Sequence, residues 1–127
     1  MAEIADIVFD CTQPAPLARF WAQVLDGYQV APYDEAELAR LRSEGIDDPE
    51  DDPSVLVEGG AGRPRLWFTR VPETKTVKNR VHLDLRSAQP DTELTRLTHL
   101  GARVTAEFDG WTILEDPEGN EFCLLKS

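Results

Sequence analysis

The sequence predicts an α+β fold built from two tandem βαβββ modules. Three observations predict it: an internal repeat, helix boundaries placed alike in both copies, and three extended runs after each helix. The repeat emerges when IVFDCTQPAPLARFWAQVLDGYQV is laid over VHLDLRSAQPDTELTRLTHLGARV at a constant offset of 74. Asp10 then meets Asp84, Pro16 meets Pro90, Gly27 meets Gly101 and Val30 meets Val104. The physical roles agree as well, since each copy reads strand, prolyl-started helix, glycine stop, strand.

In the first copy Leu17, Phe20, Trp21, Val24 and Leu25 recur at helical spacing and define one apolar stripe. Pro16 suits a first helical turn and Gly27 a left-handed cap, which predicts a helix over 15–26. The second copy places Leu94, Leu97 and Leu100 after Pro90 and stops at Gly101, but carries Thr95 and Thr98 where the first has Trp21 and Val24. Behind the helices lie YQVAP, SVLVEG and PRLWFTRV in one half and ARVTAEF, WTILED and EFCLLK in the other. Their β-branched and aromatic residues between turn signals read as strands. One extra element, DEAELARLRSEG at 34–45, has Leu38 and Leu41 on one side of a short helix.

With 127 residues and 41% hydrophobic content, the chain is one domain long and can bury a core without staples. The polar stretch VPETKTVKNR divides it into module one at about 1–71, a linker at about 72–79 and module two at about 80–127. No apolar run approaches the roughly 20 residues of a membrane helix, and MAEIADIVFD has neither a basic flank nor a signal-like core. A cytoplasmic location is expected, with Cys11 and Cys123 as free thiols. A net charge of −11, from 24 acidic and 13 basic residues, repels phosphate backbones and anionic lipid, so no nucleic acid or membrane partner is expected. Part of that charge is the run IDDPEDDP, with Asp47, Asp48, Glu50, Asp51 and Asp52. It reads as a solvated loop or, alternatively, as a negative lip that attracts cationic ligands.

Several segments carry a resemblance: Asp116-Pro117-Glu118-Gly119-Asn120 before the last strand, Phe20-Trp21 in the first helix, and the run Lys78-Asn79-Arg80-Val81-His82-Leu83-Asp84-Leu85. With two βαβββ modules, the chain resembles the vicinal oxygen chelate superfamily of glyoxalase I, extradiol dioxygenases, fosfomycin-modifying enzymes and bleomycin-binding proteins. Within it, the glyoxalase-like domains of the actinobacterial type are most similar. The resemblance implies a cupped, mostly antiparallel eight-stranded arrangement with helices outside, and a ligand in the cup. The DPxGN turn also has a local reason, since Pro fixes one turn residue and Gly supplies a positive φ.

The resemblance further implies four metal-ligand positions: a histidine opening each module and a glutamate on each module's last strand. Strand alternation sets Ile7, Phe9 and Cys11 against Val8 and Asp10, and Val81, Leu83 and Leu85 against Arg80, His82 and Asp84. The apolar sets are expected under the helices, so Val8 and His82 face the hollow. Only His82 matches a ligand position. Val8 is its repeat mate, Cys123 stands at the second glutamate position, and Trp67, flanked inward by Arg65 and Thr69, stands nearest the first. One match is too few for a hard divalent ion, so no metal and no cofactor are expected. Glu121 shares a strand face with Cys123 and adds a partial donor set, but a soft ion on His82 and Cys123 wants a third protein ligand.

The candidate catalytic residue is His82, read either as a proton shuttle or as a histidine paired with a strand neighbour. Candidate ligand-binding residues are Val8, Trp67, His82, Asp84, Trp111, Glu121 and Cys123. Cys123 is a nucleophile in one reading and a small buried hydrophobe in the other. Trp67 and Trp111 offer flat rings to a planar or cationic ligand, whereas Trp21 belongs to the core. Asp10 and Asp84 form an acid–base pair in one reading and salt bridges to Arg80 or helix caps in the other. Lys75, Lys78 and Arg80 hold an anionic group or simply protect a strand edge. The expected function is metal-independent binding of a small molecule, cationic or aromatic, of the bleomycin-resistance type. The alternatives are a lyase or isomerase using His82 with Asp84 or Glu121, and an accessory domain without chemistry. A homodimer is the expected assembly.

Overall fold

A computed structural model describes residues 1–127 and divides the chain into two compact units, Met1–Thr74 and Lys75–Ser127. The division falls inside the polar stretch between the repeats. The expected eight strands are present as two four-stranded sheets, one per unit.

Unit one contains β1 (Asp6–Cys11), α1 (Pro14–Val24), β2 (Gln29–Val30), α2 (Glu35–Ser43), β3 (Ser54–Glu58) and β4 (Arg65–Arg70). Its sheet runs in the order β1-β4-β3-β2, with β1 parallel to β4 and the other pairs antiparallel. The helix α1 buries Leu17, Phe20, Trp21 and Val24 as its stripe requires. It packs on β2, β3 and β4. Phe9 lies 5.4 Å from Trp21 and stacks on Phe68 at 4.9 Å, so the odd-numbered face of β1 does lie under the helix. The helix leaves earlier than Gly27 suggests: Leu25 is already extended, and Gly27 with φ +76° turns the chain behind it.

Unit two contains β5 (Leu83–Leu85), α3 (Pro90–Leu100), β6 (Arg103–Glu107), β7 (Trp111–Glu115) and β8 (Glu121–Leu125). The sheet repeats the topology of unit one, in the order β5-β8-β7-β6 with β5 parallel to β8. Gly101 ends α3 in the left-handed conformation at φ +118°, the cap that its position predicts. The helix is thinly anchored, with Leu97 its one buried residue over a core of Leu114, Phe122 and Leu124. Asp116 builds the DPxGN turn. Its Oδ1 accepts from the Glu118 and Asn120 amides at 2.9 and 3.0 Å, and Gly119 adopts φ +87°.

Two expectations are corrected. Val81, placed under the helix by strand alternation, is 78% exposed, because β5 begins only at Leu83 and is half the length of β1. The acidic run is not a uniformly solvated loop. Pro49–Asp51 forms a 3-10 turn capped by Asp48, and Glu50 accepts from both terminal guanidinium nitrogens of Arg19 at 2.7 and 2.9 Å. Asp52 is only 3% exposed, accepting from the Tyr33 hydroxyl at 2.7 Å and the Ser54 amide at 3.0 Å. A buried carboxylate is tolerated because those donors replace its water.

Candidate functional site

Each sheet has one face away from the helix packed on it, α1 in unit one and α3 in unit two, and each such face carries a pocket. In unit two the pocket has a volume of about 370 Å³ and is lined by Lys78, His82, Asp84, Trp111, Ile113, Glu121, Cys123 and Leu125. Five of the seven candidate binding residues are therefore brought together. Register explains the convergence: Asp84 lies opposite Cys123 across the parallel β5–β8 pair, and Ile113 lies opposite Cys123 across β7–β8. The period of two adds His82, Trp111, Glu121 and Leu125 to the same face.

His82 Nε2 stands 3.2 Å from Asp84 Oδ1. One donor atom from each of His82, Asp84 and Cys123 lies within 4.8 Å of the others. Burial pushes the Cys123 thiol above its ordinary range, and the neighbouring Asp84 carboxylate, which it contacts by hydrogen bond, pushes it further; Lys78 opposes both. A thiol so placed is a poor nucleophile. Glu121 does not join this cluster. Its carboxylate accepts from Lys75 Nζ at 2.8 Å and from the Asn79 amide at 3.1 Å. Burial alone would raise its pKa, but these bonds prevail and hold it at about 2. Lys75 is thereby committed to Glu121 and to the Val77 carbonyl, while Lys78 remains at the pocket wall.

The remaining two candidates lie on unit one, where Val8 and Trp67 are register partners on one sheet face. Trp67 lines a second pocket of about 330 Å³, together with Tyr33, Asp34, Glu37, Arg40, Asp52 and Glu58 among others. Val8 is 56% exposed and is not part of that wall. Four carboxylates there face one guanidinium, and Arg40 is already paired with Glu37 at 2.8 Å. The Arg65 guanidinium sits 5.9 Å from the Trp67 ring centroid, within the range of a cation–π contact. Tyr33, Asp34 and Glu37 come from the start of α2 and the segment before it, the insertion in the first repeat. Sequence reasoning missed them as site residues, although the acidic lip it weighed contained Asp52. Asp10 lies opposite Thr69 in register, and neither α1 nor α3 has a side-chain cap, so the capping role weighed for Asp10 and Asp84 is not observed.

At the ligand positions implied by the resemblance, Val8, Trp67 and Cys123 present an aliphatic group, an indole and a thiol. That set does not fit a hard divalent ion.

Paired βαβββ modules with a pocketed open sheet face define the class: a vicinal oxygen chelate superfamily fold. The glyoxalase-like domain family matches residues 6–125, and the chain belongs to that family. No curated protein matches it in sequence. Among solved structures it is similar to the fosfomycin resistance protein FosX of Mesorhizobium loti, with a TM-score of 0.67 and 14% identity over 100% of this chain and 93% of that one. A glyoxalase/bleomycin resistance protein/dioxygenase family enzyme of Burkholderia phytofirmans gives 0.63 and 18% identity, covering 97% of each chain. The trypanothione-dependent glyoxalase I of Leishmania major gives 0.61 and 14% identity, covering 98% of this chain and 86% of that one. No helix is long and apolar enough to cross a membrane.

Proposed function

We propose that this glyoxalase-like protein binds a small organic molecule, cationic or aromatic, on the sheet faces opposite α1 and α3 and without a hard divalent ion. The observation that carries the reading is the unit-two pocket, where Trp111, Ile113 and Leu125 offer apolar surface beside the polar pair His82 and Asp84. An apolar pocket with a few convergent polar groups is the usual form of a small-molecule site. The acidic, aromatic wall around Trp67 and Tyr33 supports the cationic preference. A cytoplasmic homodimer engaged in drug or metabolite binding of the bleomycin-resistance type is the corresponding physiological form.

A thermal-shift screen in EDTA tests this, using aromatic cations with matched neutral and anionic analogues. A true ligand at a hundredfold excess over Kd stabilises by about 2.7 kcal/mol. Stabilisation by cations or neutral aromatics, and not by anions, is expected; no shift from any compound removes the reading. A second reading, a lyase or isomerase, is favoured by the His82–Asp84 contact at 3.2 Å, in which the carboxylate orients an imidazole over the pocket.

A further inference from the structure

We infer that the pocket of unit one takes a guanidinium-bearing aromatic compound, with Glu58 as its charged anchor, Trp67 as its stacking surface and Arg40 as the resident counter-ion that sets its affinity. The inference rests on the small-molecule reading above and narrows it to one pocket and one cation chemistry.

The pocket wall joins the sheet to the insertion of the first repeat. Ser54, Leu56 and Glu58 alternate along β3, and Leu56 pairs with Trp67 of β4, which sets all four on one sheet face. Asp34 caps α2, and Glu37 and Arg40 follow it at three-residue steps on the same side of the helix. The helix buries only Leu41, so core packing does not account for the charges it presents to the pocket. Of the four carboxylates, Asp52 is engaged by Tyr33 and Ser54, Asp34 by the Glu37 amide, and Glu37 by Arg40. Glu58 differs. It is half-buried, and its carboxylate forms no hydrogen bond or ion pair within the chain, only a longer-range attraction to Arg65. A carboxylate partly withdrawn from water and left unpaired favours a charged donor from outside.

The chain's own side chains indicate which cation suits this wall. Arg65 lies 5.9 Å from the Trp67 ring centroid, and Arg40 is held by Glu37 at 2.8 Å and by Glu44 at 3.5 Å. Both are guanidinium groups. A planar guanidinium combines stacking on a ring with a two-pronged fit to a carboxylate, whereas a quaternary ammonium has no N–H to give Glu58. Arg40 offsets one of the four carboxylates and repels an incoming cation, so it weakens binding without touching the anchor. The volume of about 330 Å³ falls within the ~300–1,000 Å³ of small-molecule sites.

The test is calorimetric titration of the full-length chain, in EDTA and low salt, with phenethylguanidinium, phenethyltrimethylammonium and neutral phenethyl alcohol. The guanidinium should bind about tenfold or more tighter than the other two. Glu58→Gln should weaken it about tenfold, while Glu93→Gln, which removes the same charge from α3, should leave it unchanged. Arg40→Gln should strengthen it about threefold or more. In NMR spectra the indole N–H of Trp67 should shift and that of Trp111, identified by its loss in Trp111→Phe, should not. Circular dichroism checks the folding of each variant, and Glu58→Gln breaks no hydrogen bond or ion pair within the chain. Equal binding of the quaternary probe, unaltered affinity in folded Glu58→Gln, or no gain in folded Arg40→Gln overturns the inference. A shift at Trp111 in place of Trp67, or no binding of the guanidinium while other aromatics stabilise the protein, also overturns it but leaves the broader reading standing. Failure of every compound in the screen removes both.

Discussion

Glu121 accepts a charged hydrogen bond from Lys75 across 2.8 Å, and this contact takes the carboxylate away from the donors of its own strand face. The pocket that remains has Asp84 in place of Glu121 as the partner of His82 and Cys123.

Lys75→Met should therefore destabilise the protein in a pH-dependent way. The folded carboxyl is held at about 2 against an ordinary 4.5. Its contribution is complete above about 4.5 and vanishes as the pH falls through the folded value. A deficit of about 1 kcal/mol at pH 7 that shrinks towards pH 2 is expected in urea unfolding. A deficit unchanged across that range would contradict the assignment.

Tyr33→Phe removes a hydroxyl donor from the buried Asp52 while leaving the Ser54 amide in place. Equilibrium unfolding should show a loss of about 1–3 kcal/mol. The Tyr33 hydroxyl is pushed up by burial first, then by its bond to Asp52. The associated stability is thus present below the unfolded tyrosine value and lost as the pH rises towards the folded one. Ultraviolet titration should find one of the two tyrosines ionising well after the other.

Gly119→Ala should cost about 1–3 kcal/mol through the backbone alone. Its φ is +87°, and the atom nearest a new Cβ is Lys75 Cγ at an ordinary 3.7 Å. A thermal midpoint equal to that of the natural protein would show that the turn relaxes at no cost.

Trp111→Ala and Trp21→Ala should separate binding from folding. Trp111 is 41% exposed, stacks on Phe108 at 4.7 Å and borders the unit-two pocket. Trp21 is fully buried against Phe9 and Phe20. The first change should weaken the aromatic ligand about tenfold with little loss of stability, and the second should cost about 3–5 kcal/mol. Calorimetric binding and urea unfolding on both variants would show a reversal if the roles were exchanged.

The repeat, the apolar stripe of α1 and the glycine stop at Gly101 were legible because each depends on short-range periodicity or on backbone conformations that few residues adopt, whereas α1 ends ahead of Gly27. Strand alternation likewise placed His82, Asp84, Glu121 and Cys123 on one face. What alternation cannot report is competition for a side chain by distant segments. Lys75 and Asn79 draw off Glu121, and Tyr33 brings Asp52 indoors, through contacts separated by 46, 42 and 19 positions in the chain. The exposure of Val81 escaped for a related reason: the length of β5 is set by where β8 pairs with it, not by its own apolar pattern.

The most direct measurement is an NMR titration of the EDTA-treated protein with the strongest aromatic cation from the screen. Amide shifts concentrated at His82, Asp84, Trp111 and Cys123, or at Tyr33, Asp52 and Trp67, are the predicted outcome. Shifts confined to the helix-covered faces, or binding that appears only when a divalent ion is restored, would contradict metal-independent capture on the open sheet faces.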